Sequence, residues 1–416
     1  MNRRAFLKES VFFSAGIAAS SWPVLSDPGN LGCNEAQKKD VDSGDLPILV
    51  LEGPPRKRGQ IHGESLRGKI NEIISIWKEE FHKVHHIHPD RYIEDFLAYQ
   101  KFDKAIERWV PDLKEEVFGI AEAAGVDQKT MYAFQLLDEE WWFAAHRKKG
   151  VPLPEAGNCS ALGVFNQERL PTMLAQTMDI ASYTDKHEVL FRIKHQDSAL
   201  ETLVFSFAGI IAMCGMNNRS LGICCNTLLQ LDHRPDGLPV AYIVRGVLAK
   251  KIYADAVEFI ETIAHASGQN YTIGGPREAT SLECSANKVC RYIPHEGATQ
   301  VYHTNHPLVN DDKGIYLKMV AKVPENKRPK PPDKSEIRFN AIEKRLKDSE
   351  KGIDVAAIKA ILSSHDDAKN PVCRHILPGG DGVFTAACVI YELGNSPVLQ
   401  LAPGPPCSTE FRRYEL

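Results

Sequence analysis

The chain has 416 residues, 43% hydrophobic and 25% charged, a balance that argues against large-scale disorder and suits one large domain or two average ones. A formal net charge of −4 and a pI of about 6.4, with no long Lys/Arg run, give no electrostatic basis for nucleic acid or an anionic membrane surface as partner. A small, uncharged or mixed-charge substrate remains open.

The chain begins Met1-Asn2-Arg3-Arg4-Ala5-Phe6-Leu7-Lys8, a twin-arginine signal pattern followed by a modest apolar segment from Val11 to Ala19 and small residues through Ser21. The apolar run is shorter than the roughly 20 residues that span a bilayer, so export as a folded protein to the periplasm or medium is expected, with no membrane insertion. Residues 1–33 are set aside as signal and tail. Cys33 does not read as a lipidation site, because Asn30 stands where such a site wants an aliphatic residue.

From Leu46 to about Lys149 one short strand, Leu46 to Leu51, precedes sequence of mostly helical period. Helices are expected over Leu66–Phe81, Arg91–Trp109, Asp112–Ala124 and Gln128–His146, with Asp112 as an N-cap and Gly125 closing the third. His82, His85, His86 and His88 lack an acidic or Cys partner beside them. They read as a solvated helix end before Pro89 rather than a metal site. Residues Gly150 to Asn158, rich in proline and glycine, read as an exposed connector.

After Cys159 the texture changes to strands and turns. Strands are expected over Ser160–Phe165, Thr172–Met178, Glu188–Ile193, Thr202–Phe207, Ile210–Cys214 and Leu221–Asn226, then helices over Pro239–Lys250 and Tyr253–Ala266. Further strands follow near Tyr271–Ile273, Thr280–Glu283, Val301–His303, Thr385–Tyr391 and Pro397–Ala402, with a helix over Ser335–Lys347 and a surface loop over Pro324–Pro332. This order reads as an α+β sandwich of two sheets between helical layers.

Cys159 is the most informative residue. It opens a strand in mid-chain, directly after the small-residue turn Ala156-Gly157-Asn158. That placement suits a cysteine made N-terminal by self-cleavage, which would carry nucleophile and activating amine on one residue. Read alone, a cysteine at the start of a buried strand is more often a small hydrophobe with no chemistry. Of the 10 cysteines, those left after Cys33 and Cys159 are even in number, which permits disulfides in an oxidising compartment without naming any. No CxxC pair has a matching partner pair, so no structural zinc site is expected. No metal and no cofactor are assigned.

Seven stretches, in order from about Leu46 to Phe411, carry a family resemblance: Gly53 to Glu64 (GPPRKRGQIHGE), Glu116 to Val126 (EVFGIAEAAGV), Asn158-Cys159-Ser160, Ala175 to Asp179 (AQTMD), Gly215 to Leu228, His303 to His306 (HTNH), and Gly404 to Cys407 (GPPC). The chain resembles the peptidase family of isopenicillin N acyltransferase (acyl-coenzyme A:6-aminopenicillanic acid acyltransferase), whose members are N-terminal-nucleophile hydrolases. The resemblance implies a four-layer αββα fold, with residues 34–158 as a mainly helical small subunit and 159–416 as the catalytic large subunit. The two self-cleaved chains are expected to remain associated. It further implies Cys159 as nucleophile, cleavage between Asn158 and Cys159, and Asp179 holding the α-ammonium or a substrate amine. Asn305 is implied as oxyanion donor, Asn226 as a second polar group near that oxyanion, and Arg338 as orienting the cysteine or binding a carboxylate.

Two departures from the family pattern bear on chemistry. Asn158 stands where a glycine is common, which bears on processing, and Thr177-Met178 replaces an aromatic-containing pair, which alters the pocket wall. No phosphate-binding glycine loop or basic cluster near Cys159 indicates a coenzyme A site. The expected activity is therefore hydrolysis of an amide of a small acyl or amino-acyl compound through a Cys159 thioester. The alternatives are an acyl-coenzyme A-dependent N-acyltransferase, or an unprocessed relative that binds ligand or serves a structural role. The expected partners are a small-molecule amide and the twin-arginine export machinery.

Overall fold

The structure is a computed structural model that describes residues 46–147, 158–196, 198–328, 333–349, 352–376 and 382–416. The signal pattern, Cys33, most of the connector before Asn158 and part of the expected loop at 324–332 lie outside the described residues. Strand β1 (Ile48–Leu51) pairs in parallel with β4 (Glu188–Lys194), which ties the helical part of the chain to a sheet formed after Cys159.

Helices α1 (Pro55–Ser65) and α2 (Arg67–His85) follow, then α3 (Pro89–Tyr99), α4 (Asp103–Trp109), α5 (Asp112–Ala124), α6 (Gln128–Phe134) and α7 (Leu137–Arg147). The single helix expected over Arg91–Trp109 is divided. Gln100 is extended (φ −83°, ψ 158°), and its Oε1 accepts from Phe102 N at 2.7 Å to start the next helix. The helix expected over Gln128–His146 divides at Gln135, whose amide reaches Gly209 O at 2.8 Å and Ile211 N at 3.0 Å in another part of the chain. Asp112 is not the cap of α5: Pro111 holds that position, with no side-chain cap bond. Gly125 does end the helix, in the left-handed region at φ 72°.

Helix α1 has no clear apolar stripe, and close packing on α5 is what places it. A Cβ at Gly59 would lie 1.9 Å from Glu116 O, and one at Gly119 would lie 2.2 Å from Arg56 O. At this crossing Glu116 is buried between two arginines. Arg58 Nε donates to its Oε2 at 2.9 Å, and Arg245 Nη1 donates to Oε1 at 2.6 Å. Burial alone would raise the Glu116 carboxyl, but Arg245 and then Arg58 pull it down to about 2.

After Asn158 the chain forms β2 (Ser160–Val164), β3 (Thr172–Ala181), β5 (Glu201–Phe207), β6 (Cys214–Asn217) and β7 (Gly222–Thr227), then α8 (Val240–Leu248) and α9 (Tyr253–Thr262). Strands β8 (Gln269–Gly274), β9 (Ala279–Cys284), β10 (Val289–Tyr292) and β11 (Gln300–His303) come next, with α10 (Gly314–Val320), α11 (Lys334–Lys347) and α12 (Val355–Leu362). The last elements are β12 (Val383–Leu393), β13 (Val398–Ala402) and β14 (Arg412–Glu415). The strand expected at Ile210–Cys214 begins only at Cys214, because Ile210 closes a turn with its N–H on Phe207 O at 2.9 Å.

Two sheets result: an 8-stranded one in the order β1-β4-β5-β6-β7-β8-β9-β10, and a 6-stranded one in the order β11-β2-β3-β12-β13-β14. They pack face to face where small residues admit large neighbours. Leu174 of β3 and Leu393 of β12 lie against Gly222 of β7 and Gly274 of β8. The alternate residues of β2 and β3, including Leu162, Val164, Met173 and Ala175, face outward and join Ile342, Leu346, Ile358 and Ile361 of α11 and α12 in a second core. Helices α8 and α9 pack against β6, β7 and β8 on the other side. The protein is an α+β sandwich with four layers, αββα. Among the described residues no helix is long and apolar enough to cross a membrane.

Candidate active site

Cys159 sits immediately before β2, the second strand of the 6-stranded sheet. The antiparallel register Ser160↔Thr177 brings it beside the end of β3, where Asp179 O lies 3.9 Å from its Sγ. Burial pushes the thiol up to about 12, and the Asp179 charge adds to that, while contacts with the Asp179 backbone, Arg338 and Gln176 oppose it. In the intact chain the sulfur is therefore held as a neutral thiol.

Arg338 converges on the same peptide from α11. Its Nη1 donates to Asn158 O, to Cys159 O at 2.8 Å and to Ser160 Oγ at 3.1 Å, and Nη2 donates to Asn305 Oδ1 at 3.1 Å. The helix is started by a capping box, Asp333 with Glu336, which fixes where Arg338 leaves the first turns. Burial lowers the guanidinium to about 10, opposed by Asp179 and Cys159, so it stays cationic at neutral pH.

Asn305 follows β11 and is positioned through its backbone: its N–H donates to Ser335 Oγ at 2.6 Å. Its Nδ2 donates to Thr227 O at 3.0 Å, and an amide carries two such hydrogens. Beside it His303 pairs with Glu283 at 2.8 Å, and Glu283 also accepts from the backbone N–H of Leu308, Val309 and Asn310. Asn226 is buried next to Thr227, with its Oδ1 accepting from Asn270 Nδ2 at 3.2 Å. The Asn226 Nδ2 has no partner among the described residues, which leaves a buried donor in reserve. Asp179 Oδ1 accepts from Thr385 Oγ1 at 2.7 Å across the β3–β12 pair.

The structure thus draws Asn158, Cys159, Asp179, Arg338 and Asn305 into one connected cluster, and Asn226 reaches it through Thr227. Gln176, Thr385, Ser335, Glu283 and Asp138 complete the surroundings without having been singled out in the sequence. Gln176 lies three residues before Asp179 in the AQTMD stretch and clamps Cys225 through both backbone groups, at 2.6 and 3.1 Å. Asp138 comes from α7, accepting from Thr227 Oγ1 at 2.7 Å and Gln269 Nε2 at 3.1 Å, and burial raises its carboxyl. It is one of three consecutive acidic residues on a helix, and nothing local marks it as facing the site. The His82–His86 segment ends its helix as expected, with His86 in the left-handed region at φ 54°.

A family model described as acyl-coenzyme A:6-aminopenicillanic acid acyl-transferase matches residues 165–398. That span is more than half of the chain, and the protein belongs to this family. The match contains Asp179, Asn226, Asn305 and Arg338 and begins just after Cys159. Three solved structures are also similar to it. The N-acylethanolamine-hydrolyzing acid amidase ortholog of Caenorhabditis elegans is 14% identical, over 57% of this chain and 93% of its own, with a TM-score of 0.40. A conjugated bile acid hydrolase from Clostridium perfringens is 13% identical, over 62% of this chain and 97% of its own, also at 0.40. Penicillin V acylase from Agrobacterium tumefaciens is 14% identical, over 62% and 86% respectively, at 0.39. No curated protein sequence matches at a significant level.

Proposed function

We propose that the protein is a self-processing cysteine amidohydrolase that cleaves an amide of a small acyl or amino-acyl compound through a Cys159 thioester. The observation that carries this is Arg338 Nη1 on both carbonyls flanking the Asn158–Cys159 peptide, with the Cys159 thiol next to that peptide. A cation on the Asn158 oxygen polarises the carbonyl and stabilises the oxyanion formed when sulfur attacks its carbon. The C–N bond then breaks as the acyl group moves to sulfur and the α-amine takes up a proton. Water hydrolyses the thioester and leaves Cys159 at a new N-terminus. The freed amine, ordinarily near pKa 7.7–8.0 (about neutral), serves as base for the thiol in later turnovers. Asp179, whose backbone O is 3.9 Å from the Cys159 sulfur and whose charge also acts on Arg338, is suited to hold the ammonium form.

The β1–β4 pairing and the Glu116–Arg245 ion pair join residues before and after the cut, so the two chains stay together. Intact-mass analysis of the wild type under denaturing conditions is expected to give two chains divided at Asn158–Cys159, and Cys159→Ala a single one. Incubation with a panel of N-acyl amides, with and without a competing amine, is expected to release free acid. A single uncut chain that still hydrolyses amides would remove the N-terminal amine from the mechanism. Strict dependence on an acyl-coenzyme A donor would favour the acyltransferase reading instead. For export, replacing Arg3 and Arg4 by lysine is expected to retain the protein in the cytoplasm. Undiminished periplasmic yield of that variant would refute a twin-arginine route.

A further inference from the structure

His365, Cys373 and His375 come from the connection between α12 and β12, and Cys407 from the one between β13 and β14, at one end of the 6-stranded sheet, and one ligand atom from each lies within 4.8 Å of the other three. Cys373 Sγ and Cys407 Sγ are 3.4 Å apart, and His375 Nε2 is 3.1 Å from Cys407 Sγ. The rings of His365 and His375 stack with centroids 5.5 Å apart. A tetrahedral ion with bonds of about 2.3 Å to sulfur and 2.0–2.1 Å to nitrogen needs edges of about 3.8 Å for S–S and 3.6 Å for S–N. The Sγ–Sγ and Nε2–Sγ separations are shorter than those edges by about 0.4 and 0.5 Å, and the remaining pairs lie within 4.8 Å, so small side-chain rotations would seat the ion. We propose that these four residues form a His2Cys2 zinc site that braces the segment supporting Asp179.

The donor set suits that ion: two thiolates and two imidazoles in a tetrahedral arrangement select zinc among the common divalent metals. The loops are shaped independently of it. Asp366, next to His365, forms a two-pronged ion pair with Arg345 of α11 at 2.6 Å for each bond. Asp367 Oδ1 accepts from the backbone N–H of Lys369 and Asn370 at 2.9 and 2.7 Å, and Cys373 N–H donates to Ser364 O at 3.1 Å. Cys407 closes the GPPC stretch, whose Pro405 O accepts from Ser408 and Thr409 N–H at 3.0 Å each. A disulfide between Cys373 and Cys407 would use two of the donors and give the two histidines no role. From Cys373 the link to catalysis is short: Arg374 N–H donates to Thr385 Oγ1 at 2.9 Å, and Thr385 Oγ1 donates to Asp179 Oδ1 at 2.7 Å.

The test uses the full chain produced with added zinc and dialysed without chelator. Elemental analysis is expected to find about one zinc per chain, falling close to zero in Cys407→Ser, with Cys290→Ser unchanged. Cobalt substituted for zinc is expected to give tetrahedral visible bands with sulfur-to-cobalt charge transfer, absent from Cys407→Ser. If Cys407→Ser does not fold, Cys407→His keeps a ligand and is expected to fold with zinc bound. Zinc-free wild type after supplementation would overturn the proposal. So would a Cys373–Cys407 disulfide found by non-reducing peptide mapping of the purified protein.

Discussion

Asn305 touches the site in two ways, accepting from Arg338 Nη2 at 3.1 Å and donating to Thr227 O at 3.0 Å. On the proposed mechanism, its second amide hydrogen and the Asn226 Nδ2, which has no partner among the described residues, would be neutral donors for an oxyanion formed near Cys159. Removing one such donor typically costs about 10²–10³ in turnover, about 2.7–4 kcal/mol of transition-state stabilisation. Asn305→Ala is expected to melt near the wild-type temperature and lose turnover by that factor in steady-state assays. Unchanged turnover would take Asn305 out of the mechanism, and a protein that fails to fold would point to a structural role. Cys159, Asp179 and Asn305 were singled out through the family resemblance of short stretches taken together, and the structure brings them into one cluster. Arg338 also lay in view, but its reach to two carbonyls 179 and 180 residues away did not.

At the scale of elements, the α1–α5 crossing shows how a helix without an apolar stripe is held. Gly59, Gly63 and Gly119 bring two backbones into contact, and Arg58, Glu116 and Arg245 fill the space beside them with a hydrogen-bonded charge cluster. A methyl group at Gly59 would strike Glu116 O at 1.9 Å, and backbone cannot move aside as a flexible side chain can. Gly59→Ala is expected to destabilise by at least about 1–3 kcal/mol in chemical denaturation. Gly68→Ala is the control, since nothing lies within 4 Å of its Cβ and a helical alanine adds about 0.8–1 kcal/mol. Equal effects from the two would mean that this crossing is looser than its geometry indicates. Of the stretches GPPRKRGQIHGE and EVFGIAEAAGV only the second was expected as a helix; α1 was not, because it lacks an apolar stripe, and nothing in the sequence showed that one glycine faces the other.

The whole molecule buries several titratable groups, and their signs set its response to pH. Burial lowers His62 to about 3, and lowers His195, His265 and His306 to about 4, from the ordinary imidazole value of 6.5. The unfolded chain takes up protons below about 6.5 that the folded one refuses, so this stability is complete above 6.5 and is lost progressively on acidification toward 4 and, for His62, toward 3. Glu188 acts in the opposite sense. Burial raises it from 4.5 to about 7, so its contribution is complete below 4.5 and lost as pH rises through 7. Thermal melting from pH 4 to 9 is expected to fall on the acid side. Glu188→Gln is expected to raise the melting temperature relative to wild type above pH 7 and to match it near pH 4. A difference independent of pH would exclude ionisation of Glu188 as its cause.

The sequence by itself determined the outline. The periodicity change at Cys159, the helix ending at Gly125 and the strand that follows Cys159 depend on residues near one another in the chain, where spacing and turn chemistry act directly. It did not reveal the breaks at Gln100 and Gln135, because there a side-chain amide competes with the helix by capping backbone groups. Nor did it reveal the clustering of His365, Cys373, His375 and Cys407, because Cys373 and Cys407 are 34 residues apart and spacing along a chain carries no information about loops joined only by sheet packing. The same holds for Glu283 beneath the HTNH stretch and Thr385 beside Asp179. Such pairs form only when distant segments are fixed against one another, since a lone buried carboxylate or hydroxyl gains its partners from tertiary structure and not from its neighbours in sequence.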